Sequence, residues 1–280
     1  MKIVFILAGA ATLDRLFAKR NLIFTILFSA YCVGCLALMS DFGTALIFFV
    51  AFLCIAFLRT GDLPSIVMIT AAAGFAGGIV LRFKPYVLAR FAVWRHAWEY
   101  AQEEGYQQTR TMSAVASGGL FGAGPEEAWL KYVGAANTDL VFGVVSEEFG
   151  LLLALCAAAA VILLGIYALR AAGRSRSSFY AIAACATAAM LVFQTTLNVL
   201  GSVDLLPLTG VTFPFVSMGG SSMLSCWGLL AYLQAAAPPP VSVKAAPKAP
   251  APAVKPPQAT GFLDELGVAT DDIFGKEDAR

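Results

Sequence analysis

Asn137-Thr138-Asp139-Leu140-Val141-Phe142 carries the chain out of a polar, glycine-rich loop and into an apolar run, with Glu147 and Glu148 inside that run. A carboxylate entering a bilayer is costly to dehydrate and tends to mark a working site. The plain alternative, open to Asp139 alone, is a solvated carboxylate at a helix start, favoured by the helix dipole. The solvent around the segment decides between them.

Composition identifies that solvent. Of 280 residues, 59% are hydrophobic and 13% charged, and the mean hydropathy is +0.76. Soluble domains carry about 25% charged residues. Apolar runs fall at 2–13, 22–40, 43–58, 64–81, 140–168, 178–200 and 213–235. Most reach the roughly 17–25 residues that a spanning helix needs. Their interiors hold Gly and Ala, as expected where helices pack closely in lipid. The expected fold is all-α, a polytopic membrane protein of about seven transmembrane helices. The net charge of +1 carries no signature of nucleic-acid binding, and no nucleic-acid partner is expected.

Cys32, Cys35, Cys54, Cys156, Cys185 and Cys226 all lie in apolar runs. Cys32 and Cys35 form a C-x-x-C without a second pair or redox context, so they read as small hydrophobes. His96 is the only histidine, which argues against a histidine-based metal centre.

Charge sets the orientation. Arg15, Lys19, Arg20, Arg59, Arg170, Arg174 and Arg176 fall in loops on one side, whereas the short loops around Asp41 and Ser202–Thr212 have no Lys or Arg. The first set is therefore expected in the cytoplasm, with the C-terminal tail. The loop of about 82–139 then lies outside, despite Arg82, Lys84, Arg90, Arg95, Arg110 and Lys131. Cations on the disfavoured side suit an anionic, phosphate-bearing ligand. The plain alternative is neutralisation by Glu99, Glu103, Glu104, Glu126, Glu127 and Asp139.

Residues 1–236 read as the membrane domain, and the Ala/Pro/Lys-rich stretch 237–280 as a disordered cytoplasmic tail. The start, Met1-Lys2 and an apolar run to Ala11, has the outline of a signal peptide. Cleavage there would contradict the charge asymmetry. The run is read instead as the end of a helix that begins upstream, in a chain truncated at its N-terminus.

The polar and glycine motifs resemble those of the SEDS family (shape, elongation, division and sporulation proteins, typified by FtsW, RodA and SpoVE). Asp41-Phe-Gly-Thr-Ala resembles P-D-[LF]-G-T-A, with Ser40 in place of proline. Pro85-Tyr86 with Arg90 resembles P-Y-x-x-x-R; Trp98 and Gly105-Tyr106-Gln107 follow at the family spacing. Ser117-Gly118-Gly119-Leu120-Phe121-Gly122-Ala123-Gly124, Thr138-Asp139 and Glu147-Glu148-Phe149-Gly150 match further motifs. So does Leu206–Val211 with Pro214-Phe215, Ser217 and Gly219–Ser222. Departures are Gly134–Asn137 where P-E-x-H is common, and Met218 where tyrosine is common. The family's P-S-E motif would fall just before residue 1.

The resemblance implies the C-terminal part of a ten-helix fold in the bacterial plasma (inner) membrane, with the large loop extracytoplasmic and the tail cytoplasmic. It implies a peptidoglycan glycosyltransferase that polymerises lipid II beside a class B penicillin-binding transpeptidase. A lipid II flippase, or a non-catalytic scaffold that recruits the transpeptidase, would fit the same motifs. Asp139 matches the catalytic carboxylate. Arg90 and Lys131, with Lys2 at the position of a family lysine, are expected to bind the lipid diphosphate, and Asp41 to share the cleft. Trp98 and Tyr106 would pack the loop or stack on a sugar. No cofactor is evident, though a divalent cation would serve the leaving group.

Overall fold

A computed structural model describes residues 1–12, 18–38, 41–83, 85–175 and 177–236. The proposed tail, 237–280, lies outside the described residues, as do Arg15, Ser40, Lys84 and Arg176. Among the described residues the regular structure is helical, without strands.

The helices are α1 (Lys2–Thr12), α2 (Ala18–Leu38), α3 (Phe42–Thr60), α4 (Leu63–Phe83), α5 (Pro85–Val93), α6 (Tyr106–Gly118), α7 (Val141–Phe149), α8 (Leu151–Gly173), α9 (Ser178–Ser202) and α10 (Gly220–Ala236). A short 3-10 turn occupies Leu130–Tyr132. Local chemistry sets several ends. Asp41 caps α3 by accepting from the Thr44 amide at 3.1 Å, which satisfies an orphan first-turn donor. Gly61, left-handed at φ 61°, closes α3 through its amide on the Phe57 carbonyl.

α9 is the central post. In its membrane-length window 67% of residues are buried, against 28% for α8, so α8 forms the rim and turns most of its face outward. The main core joins α1, α3 and α9 through Phe5, Ile6, Ile47, Phe48, Ile55 and Met190. α8 and α9 are long and apolar enough to cross a membrane. The apolar stretches of α1 to α4 measure 10–17 residues. Among the described residues the expected seven spans are thus not confirmed.

One further difference concerns the opening segment. The apolar run 140–168 is broken at Gly150, which stands at φ 94° and ψ 155°, a conformation open essentially to glycine. Glu147 and Glu148 thus sit on the short α7 and not within the spanning helix α8. The break is held by backbone pairing with the loop after α6. The Ala123 amide donates to the Glu147 carbonyl at 2.8 Å, the Gly124 amide to Glu148 at 3.2 Å, and the Leu151 amide to Gly119 at 3.0 Å.

Candidate active site

Asp139 lies in the turn before α7, and its peptide is gripped at three successive carbonyls. The Met218 amide donates to the Asn137 carbonyl at 2.8 Å. Ser217 Oγ donates to the Thr138 carbonyl at 2.5 Å, and Asn198 Nδ2 to the Asp139 carbonyl at 2.8 Å. Asn198, buried on α9, also donates to the Val211 carbonyl at 2.6 Å. Ser217 Oγ in turn accepts the Phe213 amide at 2.7 Å. The Leu206–Ser222 motif therefore works largely as a cradle for the backbone around Asp139.

The Asp139 carboxyl is half-buried. Burial pushes its pKa above the ordinary value of 3.8, opposed by a Thr138 side-chain hydrogen bond and by Arg90, and reinforced by Asp41. Arg90, in the last turn of α5, donates from Nη1 to the Leu208 carbonyl at 2.6 Å. Gly210 separates the two charged groups: a Cβ there would lie 3.2 Å from Asp139 Oδ2 and 3.7 Å from Arg90 Nη1. A side chain at 210 would fill that gap. Gly43 plays a similar part on α3, where a Cβ would come within 2.6 Å of the Thr209 carbonyl oxygen. Its absence lets the 209–211 stretch lie against the helix that Asp41 caps.

Lys2 stands on the other side of Asp41. Its Nζ donates to Gln194 Oε1 at 2.8 Å and to Ser222 Oγ at 3.1 Å. Gln194, fully buried, donates to the Thr212 carbonyl at 2.6 Å and to its Oγ1 at 3.0 Å. Thr212 Oγ1 and Ser222 Oγ share a 2.8 Å hydrogen bond. Asp41 lies within electrostatic reach of both Lys2 and Asp139. Lys2, Asp41, Asp139 and Arg90 thus form one sequence of neighbouring charges, positive, negative, negative, positive.

The remaining sequence candidates stand apart from this group. Lys131 donates to the Pro125 carbonyl at 2.6 Å and lies 5.5 Å from the centroid of the Tyr132 ring, so its contacts are on its own turn. Trp98 is exposed. Tyr106 lines a cavity of about 430 Å³ with Arg90, Glu103, Glu104, Gln107 and Leu208, and Arg110 covers its ring at 5.2 Å. Glu147 accepts the Trp129 and Leu130 amides at 3.1 and 3.0 Å and is 1% exposed. It braces the loop between α6 and α7 at the 129–130 turn. Sequence reading missed Asn198 and Gln194, although polar residues in an apolar run were the signal that pointed to them. Among the described residues no three or more His, Cys, Asp or Glu gather in a metal-holding group.

The family model described as "Cell cycle protein" (FtsW/RodA/SpoVE) matches residues 1–238. The peptidoglycan glycosyltransferase RodA of Mycobacterium leprae is 33% identical over 204 residues, covering 72% of this chain and 43% of that protein. The probable peptidoglycan glycosyltransferase FtsW of Bacillus subtilis is 30% identical over 218 residues, covering 71% and 52%. The chain spans about half the length of these curated relatives. A solved chain from "Structural coordination of polymerization and crosslinking by a peptidoglycan synthase complex" superposes with a TM-score of 0.65 at 24% identity, over 83% of this chain and 67% of that one. It shows the same fold.

Proposed function

We propose a function from one premise: the chain belongs to the FtsW/RodA/SpoVE family of cell cycle proteins. It supplies the catalytic carboxylate of a peptidoglycan glycosyltransferase, extracytoplasmic in orientation, that polymerises lipid II. The observation that carries this reading is Asp139, half-buried beside Arg90, with its peptide held at three carbonyls.

Polymerisation joins the sugar 4-hydroxyl of one lipid II to the anomeric carbon of the growing chain. Asp139 accepts the hydroxyl proton as the new C–O bond forms. The bond from the anomeric carbon to the diphosphate breaks, and the lipid diphosphate leaves with its electron pair. A carboxyl held above its ordinary pKa is the stronger base. Arg90, and Lys2 beyond Asp41, are the cations available to the leaving charge. Lys131 and Trp98 have no part in this step, and Tyr106 belongs to the adjoining cavity. A class B penicillin-binding transpeptidase is the partner that this activity calls for.

The test is polymerisation of purified lipid II by the full-length protein that carries this chain, with its transpeptidase. Asp139→Ala should lower glycan synthesis by about 10²–10⁴-fold, the range for a lost general base. Wild-type glycan from the alanine variant overturns the assignment. A variant that makes no glycan while lipid II flux persists would separate transport from polymerisation.

A further inference from the structure

The external segment after α5 is fastened to the turn after α9 at several points. Trp94 Nε1 donates to the Leu205 carbonyl at 3.1 Å. The Arg95 amide donates to Asp204 Oδ1 at 3.1 Å, and Gln108 Nε2 donates to the same oxygen at 2.9 Å. Gln108 Nε2 also reaches the Gly201 carbonyl at 3.1 Å and is 3% exposed. The two residues joined by the amide contact both stand in left-handed backbone, Arg95 at φ 66° and Asp204 at φ 59°. Non-glycine residues hold that conformation where their surroundings over-determine it. Here the determinant is one carboxylate oxygen that takes two donors from across the loop.

We propose that Asp204 is a positioning residue that stitches segment 94–108 to segment 201–208 and thereby sets how far Arg90 stands from Asp139. This rests on the function proposed above. The two ends of the stitch lead directly to the site. Arg90 lies one helical turn before Trp94 and is itself tied to the Leu208 carbonyl. Past Leu208 comes Gly210, whose missing side chain leaves the gap between Arg90 Nη1 and Asp139 Oδ2. Asn198, on the same helix end, holds the Asp139 and Val211 carbonyls together. Releasing Asp204 frees the Arg90 side of this frame while the Asp139 side stays clamped.

The charged groups that face Asp139 are Arg90 from α5 and Asp41 from the start of α3; Lys2 of α1 faces Asp41. None of the stitch contacts involves α1 or α3, so loss of the stitch moves Arg90 and leaves the others in place. Arg90 holds the Asp139 pKa down. Its withdrawal must shift the acid limb of the pH–rate profile toward higher pH.

Two substitutions separate positioning from folding. Asp204→Asn keeps Oδ1 as an acceptor and tolerates left-handed backbone. Asp204→Gly relieves the backbone but removes the acceptor. Each is made in the full-length protein with its transpeptidase, and lipid II polymerisation is measured against pH. Thermal unfolding and amide exchange over 94–108 are followed in parallel. The glycine variant should keep its melting temperature, lose about tenfold in rate, show a raised acid limb and exchange faster over 94–108. The asparagine variant should resemble wild type in all four. A glycine variant with wild-type rate and acid limb overturns the proposal, as does an asparagine variant that falls as far as glycine. If the wild type makes no glycan, the function proposed above fails instead. Exchange over 94–108 then decides the stitch alone: faster in the glycine variant supports it, unchanged overturns it.

Discussion

Gly150→Ala is the sharpest test of how the loop after α6 is built onto α7 and α8. Two effects act at this position. Gly150 stands at φ 94°, where an L side chain is strained by about 1–3 kcal/mol. Its Cβ would also meet the Leu120 carbonyl oxygen, and would lie 2.6 Å from Phe121 C and 2.7 Å from Gly122 N. Those are backbone atoms, so relief requires the 120–122 stretch to move away from α8. That motion breaks the Leu151 amide bond to Gly119 and the Leu152 amide bond to Leu120, 3.0 and 3.3 Å long, at about 1 kcal/mol each. Together the losses reach roughly 3–5 kcal/mol, a large part of the roughly 5–15 kcal/mol that holds a domain folded. Thermal unfolding of the purified protein should therefore fall by about ten degrees. Two controls divide the effect. Gly119→Ala meets nothing within 4 Å but stands at φ 57°, so it isolates the backbone term and should cost about half as much. Gly134→Ala also meets nothing within 4 Å and should be neutral. A Gly150→Ala protein that melts within two degrees of wild type would refute the reasoning, because the paired backbone would then have room that its geometry denies.

Two further outcomes follow from the same structure. On the function proposed above, with the ionised Asp139 as base, burial raises its carboxyl pKa, so polymerisation should decline on acidification at a pH higher than an ordinary aspartate would set. Arg90→Gln removes a cation that lowers this pKa, so it moves the acid limb up; Asp41→Asn removes an anion that raises it, so it moves the limb down. Matching shifts from the two variants in a pH–rate series would contradict the placement of both charges. Glu147→Gln keeps one acceptor for the Trp129 and Leu130 amides but turns an NH2 group toward the other. It should destabilise by about 1–3 kcal/mol, and an unchanged melting temperature would show that Glu147 does not brace the loop.

How much of this was legible in the sequence depended on whether the signal was local. The all-helical class follows from apolar runs alone, and Asp41 and Asp139, which the structure brings within electrostatic reach of one another, were legible as carboxylates at the starts of apolar runs. Arg90 was legible through the P-Y-x-x-x-R resemblance. The break at Gly150 was not, since one glycine leaves a hydropathy window almost unchanged while its φ decides where α8 begins. Glu147 read as a carboxylate in an apolar run; its partners are amides on the 129–130 turn, to which no periodicity points. The direction of Lys131 was not legible, because a loop lysine's direction is set by its turn, here by the Pro125 carbonyl. Asn198 and Gln194 were the avoidable omissions, buried amides in an apolar helix that had to be bonding something.

The arrangement around Asp139 also explains why the cradle grips main chain. A base must be held still, yet hydrogen bonds donated to its carboxylate would stabilise the ionised form and weaken it as a proton acceptor. Here the three clamps fall on the carbonyls of Asn137, Thr138 and Asp139, which fixes the residue through its peptide, while the Thr138 side chain also hydrogen-bonds the carboxylate. Burial is then free to raise the pKa, and Thr138, Arg90 and Asp41 trim it. The motif that follows α9 is long for this reason. It delivers Ser217 and Met218 to two points of one turn, brings Val211 to the Asn198 amide that holds the third, and keeps Gly210 bare so that Arg90 and Asp139 can face each other across it.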